Sequence, residues 1–215
     1  MTSTLSTMNF KLSHRLQTIH NHVPRKPFIY DIGCDHGELG LSFQLYPEVR
    51  AIHLVDPSIQ VINSLSQKLN VSDIPKDVLL IQKKADQLEI KTKKNAIIMC
   101  GFGGSQMLEG VNHLKNQIDE DSIFIFSPHR HVLQLREGLA QGEYDLLLDM
   151  MILEDDLFYP LMVVANRKGR GVHPYGEKDL WQSREGAQYR EHLLQILRNH
   201  QNSRDQSFLK YLESL

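Results

Sequence analysis

The chain has 215 residues, which is enough for one full α/β domain with a small appendage. Hydrophobic residues make up 41% and charged residues 23%, both ordinary for a globular protein. The formal net charge of −2 excludes a protein that grips nucleic acid with its whole surface, although it allows a local basic patch.

The cysteine content and the apolar runs narrow the class of protein further. Only Cys34 and Cys100 are present, so we expect no disulfide framework, and no Cys/His spacing matches a zinc site. No apolar run reaches membrane-spanning length, and the Ser/Thr-rich start lacks the pattern of a secretory signal. We therefore expect a cytoplasmic protein without a metal or a membrane partner, as a monomer or a weak dimer.

Apolar residues at helical spacing predict a first helix over residues 10–23, which Pro24 and Pro27 interrupt. Short apolar runs then alternate with helical patterns. The predicted strands are residues 28–30, 51–55, 78–82, 95–100 and 122–126, and the predicted helices are 37–46, 58–69, 105–114 and 132–140.

Two extended runs, residues 144–153 and 157–164, close this unit. The short polar segment Glu154-Asp155-Asp156 between them fits a hairpin and so an antiparallel edge strand. Alternating strands and helices favour a mostly parallel sheet covered on both faces. The sequence therefore predicts an α/β, Rossmann-like sheet with an antiparallel last strand, which by fold analogy is typical of class I methyltransferases.

The composition changes after residue 165. Residues 166–176 are basic and rich in glycine, which indicates a linker. Residues 177–200 and 207–215 predict one or two amphipathic helices that pack on each other or on the first domain. We divide the chain into a domain of residues 1–168 and a short helical C-terminal extension of residues 169–215.

Candidate binding residues follow the predicted strands, at the sheet edge where doubly wound folds bind ligands. After the first strand, Asp31 and Asp35 flank Gly33, and Gly37 follows. Glycines let the backbone approach a ligand, whereas the two carboxylates would repel a pyrophosphate. The loop therefore favours a ligand with an ammonium and a sulfonium, S-adenosylmethionine; the alternative is a strand-to-helix turn with a capping Asp.

Three further loops complete the predicted site. Asp56 can accept the ribose hydroxyls of a nucleoside or only cap a helix. Asp86, beside Ala85, can accept from an adenine amino group or be a solvated acid. In the turn of residues 101–104, Phe102 can stack on a base, and the alternative is a tight turn without function.

These motifs resemble those of the bacterial tRNA (adenine-22 N1) methyltransferase family, known as TrmK. The resemblance covers roughly residues 10–165. It is carried by Leu12-Ser13-His14-Arg15-Leu16, Asp31-Ile32-Gly33-Cys34-Asp35-His36, Gly101-Phe102-Gly103-Gly104, Ser127-Pro128 with Leu135-Arg136-Glu137, and Glu154-Asp155 with Tyr159. Phe102 stands where that family usually has Met, residues 37–40 differ from its pattern, and the segment after Val164 is shorter than its C-terminal extension.

The resemblance implies methyl transfer from S-adenosylmethionine to N1 of an adenine in tRNA, after the base is exposed or flipped. The cofactor would be held by Asp31, Gly33, Asp35, Gly37, Asp56, Ala85, Asp86, Gly101 and Gly103. Asp35, His36 and Phe102 would be catalytic. The tRNA would be contacted by Arg15, Arg130, Arg136, Arg167 and Lys168, with His129 and Arg170 as further candidates. The alternatives are a structural salt bridge for Arg136 and a solvated loop for the basic linker.

Two other functions stay open on the sequence. One is a methyltransferase with a small-molecule or protein substrate, which the weak basic balance favours. The other is a catalytically silent S-adenosylmethionine-binding domain. A nicotinamide dehydrogenase is disfavoured, because Gly33, Gly37 and Gly40 do not fit the Gly-x-Gly-x-x-Gly spacing.

Overall fold

Seven strands form one mixed sheet in the order β3-β2-β1-β4-β5-β7-β6. The computed structural model describes residues 11–70, 77–199 and 203–215. The strands are β1 Phe28–Ile32, β2 Ala51–Val55, β3 Asp77–Ile81, β4 Asn95–Cys100, β5 Ile123–Ser127, β6 Asp145–Glu154 and β7 Leu157–Ala165. The predicted Rossmann-like α/β fold is confirmed.

Helices follow the strands as the periodicity predicts. They are α1 His14–His22, α2 Glu38–Leu41, α3 Ile59–Asn70, α4 Gly104–Leu114, α5 Val132–Ala140, α6 Lys178–Gln182, α7 Arg184–Leu197 and α8 Ser203–Glu213. Two short 3-10 helices, Ser42–Leu45 and Ala85–Gln87, complete the set in the described part of the chain. Residues 10 and 200, at the ends of two predicted helices, lie outside the described residues.

The predicted C-terminal helix 177–200 is divided in the structure. Ser183 ends α6 in an extended conformation and caps α7, because its hydroxyl accepts a hydrogen bond from the Gly186 amide at 3.0 Å. Serine is a preferred N-cap residue, so a new helix begins there instead of continuing the old one.

The hairpin β6–β7 forms as predicted and supplies an antiparallel strand at the edge of the sheet. β7 runs antiparallel to both β5 and β6 and lies between them, so β6 forms the edge of the sheet. The turn places Asp155 and Asp156 at φ values of 49° and 61°, the conformation of a two-residue hairpin turn that suits the twist of the strands. The tip of the hairpin thereby lies at the carboxyl ends of β4 and β5.

The sheet is buried on both faces. All residues of β2, β4 and β5 are buried. Successive residues such as Ile98 and Met99 belong to separate apolar clusters on the two faces of the sheet. This explains why these strands are continuously apolar in sequence. Helices α6, α7 and α8 bury a third cluster, centred on Trp181 and Leu212, against Met151 of β6.

Candidate functional site

A cleft of about 700 Å³ opens at the carboxyl ends of β1, β2 and β4. It is lined by eleven of the predicted site residues, namely Arg15, Asp31, Gly33, Asp35, His36, Asp56, Ala85, Asp86, Gly101, Phe102 and His129. Parallel strands end at one edge of the sheet, so residues up to 114 positions apart in the chain converge there.

The loop after β1 depends on backbone conformations that favour glycine. Gly33 has a φ of +72°, and a Cβ there would lie 3.0 Å from the Phe102 ring. The amides of Gly33 and Cys34 both donate to the Val55 carbonyl, at 2.8 and 3.2 Å, which holds the turn against the end of β2. The turn is therefore fixed before any ligand arrives.

Asp31 is the most unusual ionisable group of the cleft. It is 3% exposed, and one carboxylate oxygen accepts from the Gly40 amide at 2.8 Å. Burial, opposed by the hydrogen bond from Gly40 and assisted by the nearby Asp56 carboxylate, raises the pKa of Asp31 to about 7. No cationic side chain among the described residues forms an ion pair with Asp31, so a cationic ligand would supply the missing countercharge.

Gly40, which the site assignment from sequence missed, makes this arrangement sterically feasible. A Cβ on Gly40 would lie 2.9 Å from the carboxylate of Asp31 and 2.6 Å from a methyl group of Leu54. The signal in the sequence was the second glycine after His36, which was read only as a departure from a family pattern.

Asp56 organises the start of a helix and also lines the cleft. Its Oδ1 accepts from the Ser58 amide at 2.8 Å, which organises the start of α3, and its side chain also lines the cleft. A carboxylate has several acceptor positions, so capping leaves capacity for ribose hydroxyls.

Asp35 and His36 lie at the rim of the cleft. Their side chains are 72% and 78% exposed, and the distance from His36 Nε2 to Asp35 Oδ2 is 3.7 Å. Such an exposed pair is held only weakly. Asp86 is also exposed, in the 3-10 helix Ala85–Gln87.

Gly37 and Gly103 are not among the residues that line the cleft. Gly37 has a φ of +69°, and a Cβ there would lie 2.9 Å from Leu65 and 3.1 Å from Leu54. It therefore shapes the entry into α2 and packs on the core. Gly103 faces Arg130, whose Nε would lie 3.3 Å from a Cβ at that position.

Arg15 lies at one wall of the cleft among residues from three other elements. Its guanidinium lies 4.6 Å from the centre of the Tyr159 ring and donates from Nη1 to Nε2 of His129. Burial, followed by the charge of Arg15, lowers the pKa of His129, which keeps the imidazole a neutral acceptor at pH 7. The Arg15 backbone amide donates to Glu154 at 2.6 Å, so the hairpin tip holds the start of α1.

Arg130 and His129 are exposed at the end of β5, next to the cleft. The Gly104 amide donates to the Arg130 carbonyl at 2.8 Å. The position of Arg130 at the mouth is therefore tied to the start of α4.

The structure corrects the prediction that Arg136 contacts tRNA. Arg136 is 2% exposed and forms a two-pronged ion pair with Asp149, whose side chain is 3% exposed. Asp149 also accepts from the Glu177 amide at 3.1 Å. A buried guanidinium committed to this pair joins α5, β6 and the C-terminal helices and cannot reach RNA.

Arg167 and Lys168, which were also predicted to contact tRNA, lie far from the cleft. Ala165, which ends β7, pairs with Ile123, the first residue of β5. The linker therefore leaves the sheet at the amino ends of the parallel strands, about 15 Å of strand away from the cleft edge. Arg167 pairs there with Asp145 at 2.9 Å, and Lys168 lies 3.7 Å from Glu143. Arg170 likewise pairs with Glu177, at 2.9 Å.

Several residues of the cleft were not predicted. Gln106 and Glu109 reach it from the first turns of α4, and Lys83 and Lys84 from the loop after β3. Positions three apart lie on the same face of a helix. The joint presence of Gln106 and Glu109 in the cleft could therefore have been predicted from the start of α4. The described residues contain no cluster of three metal-ligating side chains and no helix that could cross a membrane.

The chain is similar to characterised proteins over most of its length. It is 28% identical over 155 residues to the tRNA (adenine(22)-N(1))-methyltransferase of Bacillus subtilis (strain 168), a match that covers 71% of this chain and 64% of that protein. The match thus spans less than two thirds of the relative. The resemblance read from the motifs is confirmed.

Solved structures share the fold over nearly the whole chain. M. capricolum TrmK in complex with S-adenosyl-homocysteine superposes with a TM-score of 0.76 at 19% identity, covering 94% of this chain and 98% of the other. The B. subtilis m1A22 tRNA methyltransferase TrmK superposes with a TM-score of 0.69 at 19% identity, covering 95% of each chain. The methyltransferase domain model matches residues 12–162, so the chain belongs to the methyltransferase domain family.

Proposed function

We propose that this protein transfers a methyl group from S-adenosylmethionine to N1 of an adenine in tRNA. The assignment of the cofactor rests on Asp31. This buried carboxylate has no cationic partner among the described residues and lies near a second carboxylate, Asp56. The substrate is supported by the likeness to the B. subtilis enzyme named for adenine-22 of tRNA.

The residues of the cleft fit this cofactor. Asp31 would offset its positive charge, and Asp56 would accept the ribose hydroxyls. Asp86, with Ala85, would lie at the adenine end, and Gly33 and Gly101 would allow close approach of the backbone. When bound, the cofactor supplies an electrophilic methyl group on a sulfonium.

The protein's contribution to the reaction would be mostly positioning. Adenine N1 carries a free lone pair at pH 7, so its attack needs no prior removal of a proton. Phe102 can stack on the base, and Arg15, His129 and Arg130 can fix the flanking phosphates. Asp35 and His36, at the rim, are candidates for orienting the base or accepting the proton that the amino group loses later.

Mass spectrometry of nucleosides tests this proposal. Bulk tRNA from cells that lack the modification is incubated with the protein and S-adenosylmethionine, then digested. We expect an increase in N1-methyladenosine, and none without the protein. If no methylation is seen, calorimetry with S-adenosylmethionine alone shows whether the cofactor or the substrate was assigned wrongly. Cofactor binding without RNA methylation would indicate another substrate or a silent domain, and no cofactor binding would reject both methyltransferase readings.

A further inference from the structure

The first turn of α4 carries a polar side chain, Gln106, that has no role in the proposed function. Gln106 lines the cleft, is exposed, and makes no side-chain hydrogen bond within the described part of the chain. Among the described residues that line the cleft it is the one carboxamide. A carboxamide presents one acceptor and one two-proton donor in a fixed plane.

Gly103 brings this carboxamide close to Arg130. Its φ is −79°, which any residue adopts, so its backbone does not require glycine. A Cβ there would lie 3.3 Å from Nε of Arg130, which is tighter than ordinary packing, and 3.7 Å from Oε1 of Gln106. The absence of a side chain at Gly103 therefore lets Arg130 pack beside it, close to Gln106.

Phe102 adds an aromatic surface to the same part of the cleft. Its ring lines the cleft and lies 3.0 Å from the position of a Cβ on Gly33, so it lies between the cofactor loop and the start of α4. An aromatic ring and a planar hydrogen-bonding group in an open cleft, with a cation nearby, are features that recognise a single unstacked base.

We infer that Gln106 reads the N6/N7 edge of the target adenine. The inference rests on the proposed function. The carboxamide oxygen accepts from the N6 amino group and the carboxamide nitrogen donates to N7, the pairing that glutamine makes with adenine. This edge leaves N1 free to face the methyl donor. Guanine presents two acceptors at the same edge and is rejected, because the carboxamide oxygen then opposes the O6 of the base.

The test removes either N7 of the adenine or the carboxamide of Gln106. A tRNA is assembled with 7-deazaadenosine at the methylated position, which replaces N7 by C–H and leaves N1 and N6 in place. We expect kcat/KM of the unaltered protein to fall about tenfold on this RNA, the loss expected when one half of a bidentate contact is removed. Gln106→Leu should lower kcat/KM on the adenine RNA by a similar factor and should be indifferent to the deaza substitution.

Gln141→Leu is the matched control. Gln141 is an exposed glutamine at the end of α5, and α5 runs from the cleft edge back toward the amino ends of the strands. This variant should keep both the normal rate and the tenfold response to 7-deazaadenosine. If Gln106→Leu does not fold, Gln106→Glu gives the same test, because a carboxylate accepts from N6 but cannot donate to N7.

The outcomes separate this inference from the proposed function. If no adenine in tRNA is methylated, the proposed function fails. If adenine is methylated but the unaltered protein ignores the loss of N7, or Gln106→Leu still responds to it, the inference about Gln106 is overturned. Calorimetry measures cofactor binding separately. Gln106→Leu should bind S-adenosylmethionine with normal affinity. A tenfold loss of that affinity would show that the carboxamide contacts the cofactor and would overturn the inference.

Discussion

At the scale of single residues, Asp31 has the largest consequence. Ionised carboxylates are costly to bury unless a positive charge or several donors compensate. Asp31 has one backbone donor, Gly40, and a second carboxylate nearby. The protein thus holds in its core a group that a cationic ligand would stabilise, which links cofactor binding to pH.

The first prediction concerns pH. The pKa of Asp31 is raised from 3.8 to about 7, chiefly by burial. The folded protein therefore holds a proton that the unfolded chain releases near pH 4, and the stability this gives is lost as pH rises through 7. Denaturation of the cofactor-free protein should show this loss between pH 4 and 7. Over the same rise, calorimetry should show S-adenosylmethionine binding more tightly as Asp31 ionises.

Asp31→Asn is the control for this prediction. An amide can accept from Gly40 but cannot ionise, so the variant should lose this part of the pH dependence. It should also bind S-adenosylmethionine at least tenfold more weakly at pH 8, from loss of a charge contact worth more than about 1.4 kcal/mol. An affinity that is unchanged and still depends on pH near 7 would show that another group provides the countercharge.

At the scale of elements, the hairpin β6–β7 holds other parts of the chain in place. Its tip holds the start of α1 through Glu154, and its outer strand β6 receives the C-terminal helices. Arg136 on α5 and Asp149 on β6 form the buried ion pair beneath this junction, and Asp149 also holds the Glu177 amide. The C-terminal helices are therefore anchored to the domain by a polar contact as well as by apolar packing.

The second prediction concerns this ion pair. Arg136→Met should lower the free energy of unfolding by about 3–5 kcal/mol, because it leaves the Asp149 carboxylate buried without its partner. Chemical denaturation measures the change. Arg167→Met is the matched control, since it removes a pair whose arginine is 44% exposed, and should cost less than about 1 kcal/mol. Equal effects of the two variants would contradict an anchoring role for Arg136.

At the scale of the whole molecule, four of the cationic residues predicted to contact tRNA are divided between two edges of the sheet. Arg15 and Arg130 lie at the cleft edge, while Arg167 and Lys168 lie at the opposite edge and face acids. With a net charge of −2, tRNA binding would depend on a local patch and not on the field of the whole protein.

The third prediction concerns tRNA binding. Arg130→Ala should weaken it and reduce the slope of log K against log salt by about one, the effect of losing one phosphate contact. The double variant Arg167→Ala, Lys168→Ala should leave both quantities unchanged. Gel shifts over a range of salt concentrations decide between them. A larger effect of the double variant would place the tRNA at the amino edge of the sheet.

The sequence by itself determined the alternation of strands and helices, the order of the four ligand-facing loops, and the methyltransferase family. Each of these depends on local sequence, namely on the spacing of apolar residues and on short runs such as Asp31-Ile32-Gly33, which can be recognised without knowing the tertiary contacts.

Only the tertiary structure decided which residues share a surface. β7 inserts between β5 and β6, and that pairing buries Arg136 beside Asp149 and sends Arg167 to the far edge. The tertiary structure likewise decided that Gln106 lines the cleft and lies close to Arg130. Strand order and register join residues far apart in the chain, and no local pattern records which of them will meet.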